Sequence, residues 1–329
     1  MAEPIVHIGF PKTASTWFQR SFYPHVRSPR YVDRDRVNAA FLEGNALEFD
    51  AERARATLGL AAGEAGILCE EGLCGYLHNG GVDGHVARGV AEQISQALPD
   101  ARIVIMIRAQ PRIIVSAYQQ YVRAGGTYPA RRYLFPQDYL IGPNAVTYKQ
   151  PRFSLDFFAY SHLIECYEQL FGQDKVHVFL FEEFQKGGLD FMRRFADRLS
   201  LEVDWPAISL APRLASYSTA LAHLARFFNL FTARSVLDKR HLIHLPGWYW
   251  LRRRILEALN RSRLFGKSPD LDQLVGAPAA RWIANYFVAD NQRLVERRLL
   301  PLAEHGYPLV NLADAERPRI GEWRRRLVP

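Results

Sequence analysis

From Arg102 to Ile107 the chain reads Arg-Ile-Val-Ile-Met-Ile, five apolar residues in succession with no polar alternation. A strand with one face in water alternates; a strand buried on both faces reads like this. Three more short apolar runs have the same character, at Ile5–Phe10, Ala65–Cys69 and Val176–Phe181. Helical stretches lie between them. Val86, Val90, Ile94 and Leu98 recur every four residues, and Pro99 breaks the pattern. Pro24 stops a helix that starts near Ser15, Pro111 opens another that Gly125-Gly126 closes, and further helices fit Leu155–Phe171 and Gly188–Leu199. Strands alternating with helices imply right-handed crossovers and a parallel sheet covered on both faces. The expected fold is therefore α/β, a three-layer α/β/α arrangement around a parallel sheet of about four or five strands.

Strand signals end at Pro212. Helical stretches at 214–231, 248–260 and 278–299 follow, separated by Pro and Gly. The chain thus reads as one domain over 1–329, with an α/β core in 1–212 and a mostly helical extension in 213–329. Residues 25–64 read as polar loop and helix, and 127–152 as one long loop of the kind that carries function. No run approaches the ~18 apolar residues of a membrane span, and Met1-Ala2-Glu3-Pro4 has neither a basic nor an apolar leader segment. Cys69, Cys74 and Cys166 are too few and too irregularly spaced for a disulfide framework or a zinc site, which fits a reducing, cytoplasmic setting. Of 42 basic residues six are lysines, so 42 − 6 = 36 are arginines, a balance that suits anionic ligands or simply a GC-rich genome.

The first strand runs into Gly9-Phe10-Pro11-Lys12-Thr13-Ala14-Ser15-Thr16-Trp17 and then a helix. A strand–loop–helix junction is the setting of an anion cradle, because the first amides of a helix point outward and its dipole favours negative charge. Lys12 adds a point charge, and Thr13, Ser15 and Thr16 add hydroxyls. The loop is not a Walker A motif, since Pro11 rather than Gly precedes Lys12. A second candidate anion contact pairs Arg108, at the end of the third strand, with Ser116 eight residues on in the following helix. A guanidinium and a hydroxyl can share one phosphate.

Residues 7–19, His-Ile-Gly-Phe-Pro-Lys-Thr-Ala-Ser-Thr-Trp-Phe-Gln, resemble the 5′-phosphosulfate loop of the sulfotransferases, enzymes that use 3′-phosphoadenosine 5′-phosphosulfate (PAPS) as sulfuryl donor. Ala14 stands where that family more often has Gly. Ile107-Arg108 with the step to Ser116 resembles the family's 3′-phosphate motif, in the same order along the chain. Val178–Phe184 resembles the strand ending in Tyr-Glu-Asp-Leu, and Tyr286–Asn291 followed by Gly306-Tyr307-Pro308 resembles the tail of many bacterial members. The resemblance implies a P-loop-like α/β/α fold, PAPS as co-substrate without a metal, and transfer to a hydroxyl or amine of a carbohydrate or glycolipid. Under it, Lys12 stabilises the leaving oxygen, Thr13, Ala14, Ser15 and Thr16 hold the 5′-phosphate, Arg108 and Ser116 hold the 3′-phosphate, and Trp17 contacts adenine.

Transfer to a hydroxyl needs a proton acceptor. Gly66–Leu73, with Glu70 and Glu71 directly after the second strand, resembles the segment that supplies the base in carbohydrate sulfotransferases, and its Glu-Gly-Leu register selects Glu71. Side-chain alternation along an extended strand would turn Glu70 away. Glu70 and His78 are the alternatives. His7 alternates inside the first strand and reads as a packed core residue, and His241 and His244 lack partners at metal spacing. Two other classes share a strand–loop–helix anion site. A P-loop-type nucleotide kinase would show a Gly-Lys pair and a Mg²⁺-binding Asp where Arg108 stands, and a donor-binding module would hold PAPS or 3′-phosphoadenosine 5′-phosphate (PAP) without transfer.

One segment stands apart. Between Arg234 and Lys267 nine basic residues face two acids, 9 − 2 = +7, and Phe227–Leu256 interleaves Phe227, Phe228, Phe231, Trp248, Tyr249 and Trp250 with Arg252-Arg253-Arg254. Such a segment is either a helical cap with its aromatics in the core or a surface for peripheral contact with the inner face of an anionic membrane. No nucleic-acid motif accompanies it.

Overall fold

The apolar runs become one parallel five-stranded sheet, in the order β3-β4-β1-β5-β6. The strands are β1 (Ile5–His7), β3 (Arg30–Tyr31), β4 (Gly66–Cys69), β5 (Arg102–Ile107) and β6 (Val176–Leu180), while β2 (Val26–Ser28) and β7 (Glu202–Val203) form a separate antiparallel pair. These assignments come from a computed structural model, which describes residues 3–61, 63–139, 149–209, 217–235, 239–261 and 266–318. The helices are α1 (Ser15–Trp17), α2 (Arg34–Phe41), α3 (Ala51–Leu58), α4 (His85–Ala97), α5 (Gln110–Arg123), α6 (Ala130–Leu134), α7 (Tyr160–Phe171), α8 (Phe181–Arg198), α9 (Thr219–Asn229), α10 (Trp248–Arg261), α11 (Leu271–Val275), α12 (Ala277–Tyr286) and α13 (Val288–Arg298). The fold class is the expected α/β one.

The chain divides into two compact units that interleave along the sequence. The first holds Met1–Tyr76, Gly81–Arg108 and Ala159–Arg213, and the second Leu77–Gly80, Ala109–Phe158 and Leu214–Pro329. In the first unit the register Ile5↔Ile67 and His7↔Val104 puts the two central neighbours of β1 in step with it. Ile5, Ile67, Val104, Met106 and Phe179 then share one sheet face and pack with Phe18, Phe22, Phe191 and Phe195 from the helix after β1 and from α8. Val6, Leu68, Ile103, Ile105 and Leu180 alternate to the other face and are equally buried. That two-sided burial is why β5 shows no polar alternation.

In the second unit, buried amides tie helices together. Gln110 on α5 and Asn291 on α13 exchange hydrogen bonds of 2.8 and 3.1 Å, and Asn291 also donates to the Pro308 carbonyl at 2.8 Å. The two pieces of the tail pattern, one ending at Asn291 and one at Pro308, meet there. Asn229 at the end of α9 donates to the carbonyls of Val122 and Gly126, at 2.9 and 2.7 Å, which fastens α9 to the end of α5.

Four local readings differ from expectation. Tyr31 and its neighbour form a strand inside a stretch that reads as loop and helix, because two residues are too short to show a period. Helix α8 starts at Phe181, ahead of the expected start at Gly188, and Gly188 interrupts it with φ 50°. The long loop at 127–152 contains α6 and a 3₁₀ turn at Pro136–Tyr139, and its residues 140–148 lie outside the described ones. The helix expected at 278–299 is two, α12 and α13, parted at Phe287. Among the described residues no helix is long and apolar enough to cross a membrane.

Candidate active site

The loop after β1 is shaped by its backbone. Lys12 and Ala14 both sit in the left-handed region, at φ 73° and 72°. Left-handed residues set one apart in a loop bend the chain so that successive amides converge, the geometry of an anion-binding nest. The amides of Trp17 and Phe18 both turn to the Ala14 carbonyl, at 2.8 and 3.1 Å, so the amides of Ser15 and Thr16 head the helix. That helix is α1 continued by a π-helical turn over Phe18–Phe22.

The hydroxyls of this loop have different surroundings. Thr13 is fully buried and donates to the Phe10 carbonyl, which closes the loop on itself. Ser15 is buried, and Thr16 is exposed at the helix start. Gly9 lies close over the ring of His7: a Cβ there would stand 2.7 Å from the His7 Nε2. His7 in turn is buried between Phe18 and Tyr23, with its Nδ1 2.8 Å from the Tyr23 hydroxyl. Burial lowers the His7 pKa to about 3, so the ring is neutral and packs as a core residue.

Arg108 comes to this loop from the end of β5. Its Nη1 donates to the Lys12 carbonyl at 3.1 Å, across 96 positions of sequence. The guanidinium lies over the Phe181 ring at 4.6 Å. Tyr160 fixes the same strand end: its hydroxyl donates to the Arg108 carbonyl at 2.6 Å and its ring packs edge-on against Phe10 at 4.7 Å. Sequence reasoning passed over Tyr160 because a helix-start tyrosine carries no signal of its own.

At the neighbouring strand end, β4 stops at Cys69 and the chain turns into a 3₁₀ helix at Glu71. Strand alternation ends with the strand, so the expectation that Glu70 and Glu71 face opposite ways does not describe this turn. Glu70 is 2% exposed. It forms a two-pronged pair with Arg34, whose Nε meets Oε2 and whose Nη2 donates to Oε1 at 3.0 Å. Its Oε1 also accepts from the Gly72 amide at 2.8 Å. Arg34 lies 3.9 Å from Glu71 as well. The hydrogen bond to Glu70 raises the Arg34 pKa further, followed by the charges of both acids.

Glu71 is partly exposed and accepts from the Gln19 amide at 3.3 Å. The same Gln19 nitrogen donates to the Cys69 carbonyl at 3.0 Å. Gln19 therefore couples the helix that starts at the Lys12 loop to the turn that carries Glu71. Neither Gln19 nor Arg34 stood out in the sequence. Burial pushes the thiols of Cys69 and Cys74 well above the usual range, so neither is a nucleophile here.

Three other candidates have different places. Trp17 is 8% exposed; its ring packs with Phe22 and Phe184 and its indole N–H donates to the Ser209 carbonyl at 2.9 Å. The ring thus packs as part of the aromatic core. Ser116 is half-buried on α5 and belongs to the second unit. His78 belongs there too, buried, with its Nδ1 2.7 Å from the Tyr133 hydroxyl. It lines a pocket of about 360 Å³ together with Tyr121, Tyr128, Tyr133, Tyr139, Phe153, Arg132 and Arg152. Arg132 holds its guanidinium over Tyr128 at 4.0 Å and near Tyr139 at 5.3 Å.

No family model matches the chain, and no curated protein sequence does. Among solved structures, a sulfotransferase from Alicyclobacillus acidocaldarius is similar to it at 19% identity, over 65% of this chain and 87% of that one, with a TM-score of 0.44.

Proposed function

We propose that this chain transfers a sulfuryl group from PAPS to a hydroxyl or amine of a carbohydrate or glycolipid. The observation that supports the reading most is the guanidinium of Arg108 on the Lys12 loop. Lys12 and Arg108, singled out separately in the sequence, one for each phosphate of the donor, both belong to the first unit. Sulfuryl transfer is an in-line displacement with a loose transition state, so the protein's contribution is positioning and charge stabilisation. The acceptor oxygen bonds to sulfur while the bond from sulfur to the 5′-phosphate oxygen breaks, and PAP leaves. Lys12 and the amides of Ser15 and Thr16 take up the charge that develops on that oxygen. Arg108 supplies charge-assisted donors to the 3′-phosphate. Glu71 accepts the acceptor's proton. With its hydroxyl already given to Phe10, Thr13 shapes the loop and contributes its amide alone.

The donor set fits a doubly phosphorylated nucleotide in kind: a lysine, an arginine and helix-heading amides, with the backbone bent by two left-handed residues. Taken by itself, the pocket of the second unit has the chemistry of sugar recognition. Tyrosine faces suit the C–H side of a pyranose, and guanidinium donors suit its hydroxyls.

Two experiments test this. Labelled PAPS incubated with the full chain and glycan or glycolipid extracts should give a labelled acceptor, and transfer from γ-labelled ATP instead would sink the reading in favour of a kinase. In calorimetry, Arg108→Ala should weaken PAP binding about tenfold or more, since each charge-assisted bond lost is worth ~1.5–3 kcal/mol, and leave 5′-AMP nearly unchanged. Equal losses for both ligands would reject the 3′-phosphate role.

A further inference from the structure

A helix on a globular surface normally buries its apolar stripe and leaves its charges in water. Helix α10 does the reverse. Its inward positions are Arg252 and Leu256, and Arg252 is 1% exposed, with Nη2 donating to the Arg123 carbonyl at 3.0 Å and the guanidinium 4.6 Å from the Tyr249 ring. Its outward positions are Trp250, Leu251 and Ile255, at 50%, 52% and 36% exposure, beside Arg253 and Arg254. The segment before the helix also exposes apolar side chains. Leu242 is 74% and Ile243 53% exposed.

These exposed side chains are held in place. The amide of Leu242 donates to the Leu230 carbonyl at 2.8 Å and that of Leu245 to the Phe231 carbonyl at 3.1 Å, which pins the segment to the end of α9. Trp248 donates its indole N–H to the Phe228 carbonyl at 2.8 Å, while Arg234 lies 4.8 Å from the Trp250 ring. Of the two sequence readings for this region, Trp248 follows the packed one and Trp250 the surface one. An exposed apolar stripe that carries a tryptophan and is flanked by arginines matches an interfacial helix, whose apolar side enters the acyl boundary while its cations meet headgroups.

We propose that the face formed by residues 240–255 docks on an anionic lipid surface. The charge favours that occupant over a second copy of the chain: Arg234, Arg240, Arg253 and Arg254 are exposed around this face, and the single acid of α10, Glu257, is paired with Arg253 at 2.9 Å, so two such faces would repel. A phosphatidylglycerol-type headgroup layer supplies the opposite charge, and the acyl region beneath it takes Leu242, Trp250, Leu251 and Ile255. This docking is independent of the sulfuryl-transfer reading.

The full chain should co-sediment with vesicles of phosphatidylcholine mixed with phosphatidylglycerol about tenfold or more better than with phosphatidylcholine alone, and the binding should fall as salt rises. Leu251→Glu combined with Ile255→Glu should lower binding by about tenfold or more. The melting temperature should fall only slightly, because Leu251 is half and Ile255 about a third in water already. Arg253→Gln with Arg254→Gln should weaken binding too and flatten its salt dependence. Brominated acyl chains should quench part of the tryptophan fluorescence, and Trp250→Phe should abolish that part. Absence of co-sedimentation at low salt, or binding indifferent to the Leu251/Ile255 pair, would overturn the proposal. So would a dimer in sedimentation velocity that the same pair dissolves, since that hands the face to a second copy.

Discussion

The loop after β1 and the turn after β4 lie at the ends of neighbouring strands, yet they are built by opposite means. The loop is a backbone construction. Two left-handed residues bend it, Thr13 ties it to Phe10, and Arg108 holds it by a carbonyl. The turn is a side-chain construction: a buried carboxylate at Glu70, a guanidinium arriving from α2 and an amide from Gln19 fix where Glu71 lies. A backbone device constrains residue types at fixed spacing and leaves a motif. A side-chain device can recruit its partner from anywhere, and its spacing carries no pattern.

The widest separation expected between the two adjacent acids tests this contrast directly. Glu71→Gln should lower kcat by ~10²–10⁴-fold, the reach of general-base catalysis, with PAPS affinity nearly intact and melting unchanged. Glu70→Gln should do the converse. It strips the charge from the ion pair with Arg34 and should cost about 1–2 kcal/mol of stability, moderated by the half-exposed guanidinium, while kcat holds below the melting transition. Matching effects of the two substitutions on kcat would erase the distinction drawn here.

On the loop side, Lys12→Ala should lower kcat by ~10²-fold or more, the scale of removing one electrostatic donor aimed at a developing charge. A variant with near-normal kcat and only a raised KM for PAPS would make Lys12 a docking residue. The two outcomes separate cleanly in single-turnover measurements.

The legibility of each region follows from how it is built. The strands β1, β4, β5 and β6 are readable because a doubly buried strand needs a largely apolar run, which His7 and His177 interrupt only singly. Lys12 and Arg108 were readable because an anion loop needs its residues at one strand end in one order. Arg34 was not: it stands 36 positions before Glu70, at the polar start of a short helix, and only the fold brings the two together. Gln19 bonds the distant Cys69 carbonyl and the Glu71 carboxylate, and Tyr160 the distant Arg108 carbonyl, arrangements with no local pattern. The place of Trp17 in the motif says nothing of which way the ring turns, so its packing with Phe22 and Phe184 had to come from the fold. The sequence period identified α10 as a helix, but periodicity is silent on which stripe meets protein, and the buried Arg252 shows that the usual assumption fails there.

The floor of the loop offers a smaller, pH-dependent effect. Folding lowers the pKa of His7 from its model-peptide value of 6.5 to about 3, through burial. Between those values the unfolded chain binds a proton at His7 that the folded chain refuses, so stability is lost as pH falls below about 6.5. From pH 7 to pH 5 the loss from this one group should be about 2 kcal/mol, one and a half pKa units at 1.36 kcal/mol each. Chemical denaturation at the two pH values measures it, and His7→Phe should remove most of the difference whatever its own stability. An unchanged pH slope in that variant would place the acid sensitivity elsewhere.

The smallest effect sharpens the contrast most, because it concerns backbone alone. Ala14 holds φ 72° and ψ 13°, a left-handed conformation that brings its Cβ toward the neighbouring backbone. For an L-residue this costs roughly 1–2 kcal/mol. Glycine has no Cβ and adopts the same angles freely, though its extra freedom in the unfolded chain returns ~0.4–1 kcal/mol of that gain. Ala14→Gly should therefore stabilise the protein by about 0.5–1 kcal/mol, which for a chain of this size is a rise of about 1 °C in Tm. Ala14→Val should lower it, since a β-branched side chain tolerates a positive φ still less. Neither change touches a side-chain hydrogen bond of the loop, so the pair isolates backbone conformation from contact chemistry. If Ala14→Gly left Tm unchanged or lower while PAP binding stayed intact, the loop's shape would have to come from its ties to Phe10 and Arg108, and the two strand ends would be built alike.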